Sequence, residues 1–167
     1  MRTFLISDHH FGHSNILTFK RNDGTNLRDF KHVDEMDEYM VDAWNSKVKP
    51  GDKVYHLGDV AFKPRMLDRL YQCNGEKVLI KGNHDTLKAS QYLTHFKDIR
   101  AYWVLDKILL AHVPIHPESL SRWKGQVHGH THANNMKDRK YFNVSVENVN
   151  YFPVDFEEIR DYFANQC

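Results

Sequence analysis

The sequence predicts an α/β fold, and three observations carry that prediction. The first half alternates short apolar runs with amphipathic segments in a βαβα order. The second half turns to closely spaced strands, and a segment with a capping signal closes the chain. The elements follow in order. "TFLIS" (3–7) is a short apolar run and reads as a buried strand. "HVDEMDEYMVDAWNSKV" (32–48) sets Val33, Met36, Met40, Ala43 and Trp44 at helical spacing and stops before Pro50-Gly51. "KVYHLGDV" (53–60) reads as a second strand and "RMLDRLYQC" (65–73) as a short helix ended by Asn74-Gly75. "KVLI" (77–80) is a third strand, followed by a short helix over 88–95.

Beyond residue 100, "AYWVLD" (101–106) and "KILLAHV" (107–113) read as strands joined by a tight turn. "GQVHGH" (125–130) and "YFNVSVE" (141–147) continue the strands. "DFEEIRDYFANQ" (155–166) reads as the closing helix, with Asp155 as N-cap and Glu158 at capping-box spacing. Nothing in the pattern separates two domains, so residues 1–167 are expected to form one.

Composition narrows the function classes. Hydrophobic content is 41%, charged content 27% and net charge +1, which gives no general pull toward nucleic acid or membrane. The apolar run in "MRTFLISDHH" is about four residues, too short for a signal peptide. No stretch approaches the roughly 20 apolar residues of a membrane span. Cys73 and Cys167 lie outside any CxxC pattern and predict no disulfide framework. A cytoplasmic location is the expectation. The compositional oddity is histidine, present twelve times.

Those histidines gather, with Asp and Asn, just after apolar runs. "FLISDHH" delivers Asp8, His9 and His10. "VYHLGDV" delivers Asp59, and "VLIKGNHD" delivers Asn83, His84 and Asp85. "ILLAHVP" delivers His112, and "QVHGHTH" delivers His128, His130 and His132. In layered α/β folds, sites form beyond the carboxyl ends of strands. Asp59 or Asn83 alone would read as a turn residue. Clustered Asp and His are costly to bury without a partner, so five such ends together predict a metal site. If the backbone is extended at 128–132, alternate side chains share a side, and His128, His130 and His132 would converge. Gly129 would let the backbone bend or approach closely. Oxygen and imidazole donors without thiolate suit Mn²⁺, Fe, Ni²⁺ or Zn²⁺ rather than a Cys-rich structural zinc site, and two Mn²⁺ ions are the expectation. Seven good ligands are too many for one ion, and two ions sharing a carboxylate use them economically.

Asp8-x-His10, Gly58-Asp59, Gly82-Asn83-His84-Asp85, His112 and Gly129-His130-Thr131-His132 run in this order over most of the chain. The series resembles that of the calcineurin-like metallophosphoesterases. "SDHHFGHSNI", "AHVPIH" and "NVSVENVNYFPVDFEEI" are similar to a small, compact branch of bacterial and phage phosphoesterases. One departure is Ala111 before His112, where the family often has glycine.

The resemblance implies a four-layer α/β/β/α sandwich and a dinuclear, metal-dependent phosphoesterase. Asp8, His10, Asp59 and His132 would hold one divalent ion. Asp59, Asn83, His112 and His130 would hold the other, with Asp59 bridging. A bridging hydroxide would attack phosphorus in line. His84 would contact the phosphate or protonate the leaving oxygen, and Asp85 would orient His84. His128 matches no ligand position and reads as a packed histidine.

Substrate contacts are drawn from His13, which follows "FG", His116 after Pro114, and the basic loop 19–32 with Lys20, Arg21, Arg28 and Lys31. Trp123, between Arg122 and Lys124, would either stack a base or belong to the core. His56 is expected behind the site, and His32 and His95 on the surface. The expected substrate is a small, nucleotide-like phosphodiester. A monoester, a nucleic acid and a non-catalytic scaffold are the alternatives. Near-neutral charge weighs against a polymer, whose binding rests on many Lys and Arg contacts. The sequence leaves the oligomeric state open.

Overall fold

Alternation along the first strand sets the layers. A computed structural model describes residues 1–165. β1 (Thr3–Ile6) sends Phe4 and Ile6 into one core cluster and Leu5 into another, all three buried. β2 (Lys53–His56), β3 (Glu76–Ile80) and β4 (Asp98–Arg100) follow in parallel. β9 (Val154–Asp155) pairs antiparallel with the other edge of β1. The order in this mixed sheet is β4-β3-β2-β1-β9.

The second mixed sheet contains β5 (Trp103–Leu105), β6 (Ile108–Leu110), β7 (Gly125–His128) and β8 (Tyr141–Asn143), adjacent in that order. β5 and β6 form the expected hairpin. Asp106 and Lys107 both have positive φ, 47° and 63°, as a type I′ turn requires. β6, β7 and β8 run parallel.

Two clusters hold these layers together. On one face of the first sheet, Phe4, Ile6, Val54 and Leu79 meet Met36, Met40 and Trp44 of α1 (Val33–Lys47). The apolar spacing read from the sequence is the face that α1 buries. Between the sheets, Leu5, Tyr55, Val78 and Ile80 meet Ile108, Leu110 and Val127. Ile159 and Phe163 of α3 (Phe156–Ala164) join them. Each fully buried Leu, Ile or Val contributes about 1.5–3 kcal/mol. A smaller cluster of Leu109, Leu120 and Tyr141 carries Trp123.

Several elements differ from expectation. The short helix expected over 65–73 is a 3-10 helix, Pro64–Gln72, with proline in its first turn. The helix over 88–95 shrinks to α2, Ala89–Tyr92. The strand over 141–147 stops at Asn143, and Ser145 instead bridges to Ser7. Asp155 caps α3 by accepting from the Glu157 N–H at 3.1 Å. No reciprocal bond from Glu158 forms among the described residues. The end of the helix expected over 155–166, and Cys167, lie outside the described residues. Cys73 is buried, and burial pushes its thiol up to about 12, consistent with a packing role. Among the described residues, no helix is long and apolar enough to cross a membrane.

The join between sheets positions everything that follows. Ser7 donates its N–H to the Val144 carbonyl at 3.0 Å and accepts from the Val146 N–H at 3.1 Å. The end of β1 is thereby tied to the segment leaving β8.

Candidate metal centre

Asp8, His10, Asp59, Asn83, His112, His130 and His132 come together where the loops after β1, β2, β3, β6 and β7 meet. Asp8, His10 and His132 offer donor atoms all within 4.8 Å of one another, and so do Asp59, His112 and His130. Asn83 Oδ1 lies 2.9 Å from both His112 Nε2 and His130 Nδ1, which places it in the second group. Asp59 Oδ2 stands between the groups, 3.6 Å from His10 Nε2 and 3.3 Å from His112 Nε2.

The donor set fits divalent cations. Both ring nitrogens of His10 are buried and have no hydrogen-bond partner among the described residues. Burial, reinforced by Arg28, lowers the His10 imidazolium to about 2, so the ring is neutral and its lone pair is free. An unpartnered imidazole nitrogen facing two carboxylates is costly as it stands and would be satisfied by a cation. Burial opposes the Asp59 carboxylate, yet His112 and the His84 N–H outweigh it and hold Asp59 at about 2.

The local backbone explains how short loops converge so tightly. Asp8, His10, Asp59, His130 and His132 all adopt left-handed φ, between 49° and 68°. Such residues are uncommon outside glycine and cluster at functional sites. This corrects the sequence reading of 127–132. The strand ends at His128, and His130 and His132 are aimed by turns, each into a different group. His128 points elsewhere. It is fully buried, with Nδ1 2.8 Å from the Gly129 carbonyl oxygen. Gly129 serves the close approach: a Cβ there would collide with Asp8 Oδ2 and Ser7 Oγ.

A supporting layer fixes these side chains. Ser7 and Ser145 hydroxyls donate to Asp8 Oδ2 at 2.5 and 3.0 Å. His112 Nδ1 lies 2.6 Å from the Leu57 carbonyl oxygen and donates to it, leaving Nε2 as the donor atom for the centre. His132 Nδ1 is 3.0 Å from Glu147 Oε1, and Arg28 Nε donates to the same oxygen at 2.8 Å. Burial would raise the Glu147 carboxyl, but Arg28 and His132 together hold it at about 2. Burial likewise works against the His132 imidazolium, and Glu147 outweighs it, raising its value.

Two expected roles are overturned here. Arg28 is 1% exposed and no substrate contact. Its guanidinium is consumed by Glu147 and by the carbonyls of Asp8 and His9. Asp85 does not orient His84. Its Oδ2 accepts the N–H groups of Asp59 and Gly82, both at 2.8 Å, and its Oδ1 accepts the Val60 N–H at 3.0 Å. Asp85 therefore pins the Asp59 loop to the Gly82 loop.

The other residues sort by exposure. His84 is exposed at the rim, its ring 5.7 Å from that of His10, and its backbone N–H donates to Asp59 Oδ1 at 2.9 Å. His13 is half-buried, 5.8 Å ring to ring from His10. Phe62, which the sequence did not single out, packs against His10, His13 and His84. Arg21 lines a cleft of about 530 Å³ that also includes His130 and His132. His116 is exposed, accepts from the Glu118 N–H and makes no contact with the centre among the described residues. Trp123 packs on its cluster and also lines a cleft beside His112, so it is neither fully core nor free. His9 and His56 are buried together, Nδ1 to Nε2 at 2.8 Å. The His95 side chain, expected on the surface, is only 4% exposed, packed on Tyr71 with Asp68 nearby. His32 is exposed as expected.

No family model matches the chain. The chain is 35% identical to the uncharacterized protein MJ1445 of Methanocaldococcus jannaschii, over 95% of this chain and 89% of that protein. The chain belongs to the MJ1445 family. The chain is also 27% identical to the gene 66 protein of Mycobacterium phage L5, over 78% of this chain and 77% of the phage protein. The crystal structure of the protein of unknown function AQ665 from Aquifex aeolicus superposes with a TM-score of 0.75. It is 28% identical and covers 96% of this chain and 98% of its own.

Proposed function

We propose that this MJ1445-family chain is a dinuclear metal-dependent phosphoesterase of the calcineurin-like superfamily, in its small bacterial and phage branch. On this reading the two sheets and their covering segments are its four-layer α/β/β/α sandwich. The favoured reaction is hydrolysis of a small nucleotide-like phosphodiester. The observation that carries the reading is Asp59 Oδ2, a carboxylate oxygen set between two donor groups, 3.6 Å from His10 Nε2 and 3.3 Å from His112 Nε2.

Asp8, His10, Asp59 and His132 would hold one ion, and Asp59, Asn83, His112 and His130 the other. Divalent ions, Mn²⁺ before Ni²⁺, Fe or Zn²⁺, supply Lewis-acid charge for a phosphoryl group and acidify water. The chain's own residues do the rest. His84, exposed at the rim, binds the phosphate edge and holds a proton at a ring nitrogen. A water oxygen bonds to phosphorus as the P–O ester bond breaks, the departing oxygen takes the His84 proton, and the proton that the water gives up restores His84. Asp85 keeps Asp59 and Gly82 in register, and Glu147 keeps His132 aimed.

Metal analysis of the purified protein, paired with hydrolysis of bis(p-nitrophenyl) phosphate and p-nitrophenyl phosphate under Mn²⁺, tests this. Two ions per chain and faster diester hydrolysis are expected. Asp59→Asn should lose most bound metal and nearly all turnover. Full metal content in Asp59→Asn, or no hydrolysis with any of the four metals, would refute the reading.

A further inference from the structure

A second cleft, of about 500 Å³, opens on the flank of the centre away from His132. Its volume falls in the range of small-ligand sites. Asn83 and His112 form the wall it shares with the centre. Anything joined by an ester oxygen to a phosphorus seated at the centre can therefore extend into it.

The rest of the lining has a consistent chemistry. Ala111 and Ile115 are apolar, and Tyr102 and Trp123 are aromatic. Tyr102 is 59% exposed, a large apolar surface left in water on the same cleft as the half-buried Trp123. Lys81 also lines the cleft, and its ammonium makes no ion pair or hydrogen bond among the described residues. Aromatic faces suit any flat ring. An unpaired ammonium beside them selects a ring with carbonyl or ring-nitrogen acceptors on its edge.

We infer that this cleft is a nucleobase-binding subsite, occupied by the base of a nucleotide ester whose phosphate lies at the Asp–His centre. The inference rests on the phosphoesterase reading for the position of the phosphate. Tyr102 and Trp123 supply the stacking faces, and Lys81 donates to the edge of the base. Aromatic stacking of this kind changes affinity by about 5- to 150-fold per base.

Calorimetric titration of the Mn²⁺-loaded protein with adenosine 5′-monophosphate, ribose 5-phosphate and adenosine tests it. The first should bind more tightly than the second by about 5- to 150-fold. Tyr102→Ala, Trp123→Ala and Lys81→Met should each shrink that ratio. Trp123 also packs on Leu109, Leu120 and Tyr141, so its variant needs a melting curve. Tyr102 is exposed, and its variant decides the matter if Trp123→Ala unfolds. Equal affinity for the two phosphates, or a ratio that survives Tyr102→Ala, overturns the inference. Hydrolysis of bis(p-nitrophenyl) phosphate without that preference removes the subsite and leaves the phosphoesterase reading standing. Adenosine binding that Tyr102→Ala abolishes, in a protein that hydrolyses no ester, keeps the subsite and removes the enzyme. Failure of all three probes to bind overturns the subsite.

Discussion

Glu147→Gln is expected to destabilise the protein and loosen one half of the centre while leaving the shape of the site almost intact. Glutamine keeps an oxygen where Glu147 Oε1 now accepts from Arg28 Nε at 2.8 Å and His132 Nδ1 at 3.0 Å. It removes the charge. The Arg28 side chain, 0% exposed, is then a buried cation with no anion beside it. Breaking a buried pair from one side costs about 3–5 kcal/mol. Arg28 still donates to the carbonyls of Asp8 and His9, which favours the lower end. At about 2–4 °C per kcal/mol for a domain of this size, the melting temperature should fall by about 6–12 °C. The pH dependence has a definite sign. Glu147 sits at about 2 when folded, against 4.5 for the free side chain. Its contribution is complete above pH 4.5 and is lost as the pH falls toward 2. The gap between wild type and variant should hold at neutral pH and narrow below pH 4.5. Losing the charge on the partner that orients His132 should also weaken Mn²⁺ by about 10- to 100-fold. Calorimetry at pH 7 and pH 4, with Mn²⁺ titration, reads all three quantities. A melting temperature within about 2 °C of wild type at pH 7, with unchanged Mn²⁺ affinity, would refute the reasoning.

Three further outcomes are expected. His84→Asn should retain its metals and lose about 10²- to 10⁴-fold in turnover, less with a nitrophenolate leaving group that needs no proton; wild-type rates on an alkyl ester would contradict the role. Asp37 is 0% exposed, and burial raises its carboxyl to about 6 against 3.8 unfolded. At Asp37 the folded state therefore binds more protons between those values, and this side chain's own contribution to stability should fall as pH rises from 4 to 6. In urea titrations wild type should lose stability relative to Asp37→Asn as pH rises from 4 to 6, since the asparagine oxygen can still accept the Gly12 N–H and only the titration is removed. Gly58→Ala should fail to fold or bind no metal. Gly58 has φ 89° and its missing Cβ would collide with the Gly82 backbone, beyond the ~1–2 kcal/mol of the left-handed conformation alone. A soluble, metal-loaded variant seen by circular dichroism and metal analysis would count against this.

The strand ends were legible in the sequence because an apolar run followed at once by Asp, Asn or His is a local pattern. Of the residues so marked, the seven read as metal ligands meet in space, while His9 and His128 turn away. The spacing of Met36, Met40 and Trp44 likewise named the face that α1 buries. What escaped was whatever depends on distant partners. Glu147 ends a stretch read only as a strand and quoted for its likeness to other sequences, and nothing local says that it meets Arg28 and His132. Arg28 read as a loop cation because exposure is the rule for arginine in polar loops, and its burial depends on Glu147. Asp85 stands beside His84 in sequence but turns inward to backbone N–H groups from another loop. β4 and β9, at three and two residues, are too short for a period to be seen.

Each donor group draws on both sheets. Asp8 and His10 follow β1 of the five-stranded sheet, while His132 follows β7 of the four-stranded one. Asp59 follows β2, while His112 and His130 follow β6 and β7. An ion in either group is thus a cross-link between distant parts of the chain, closing a long loop as a disulfide would. Its binding free energy becomes folding free energy, growing with the logarithm of metal concentration. Chelation would then work like cutting a staple. The sheets would keep their own ladders of hydrogen bonds, but the seam between them would be the first place to open.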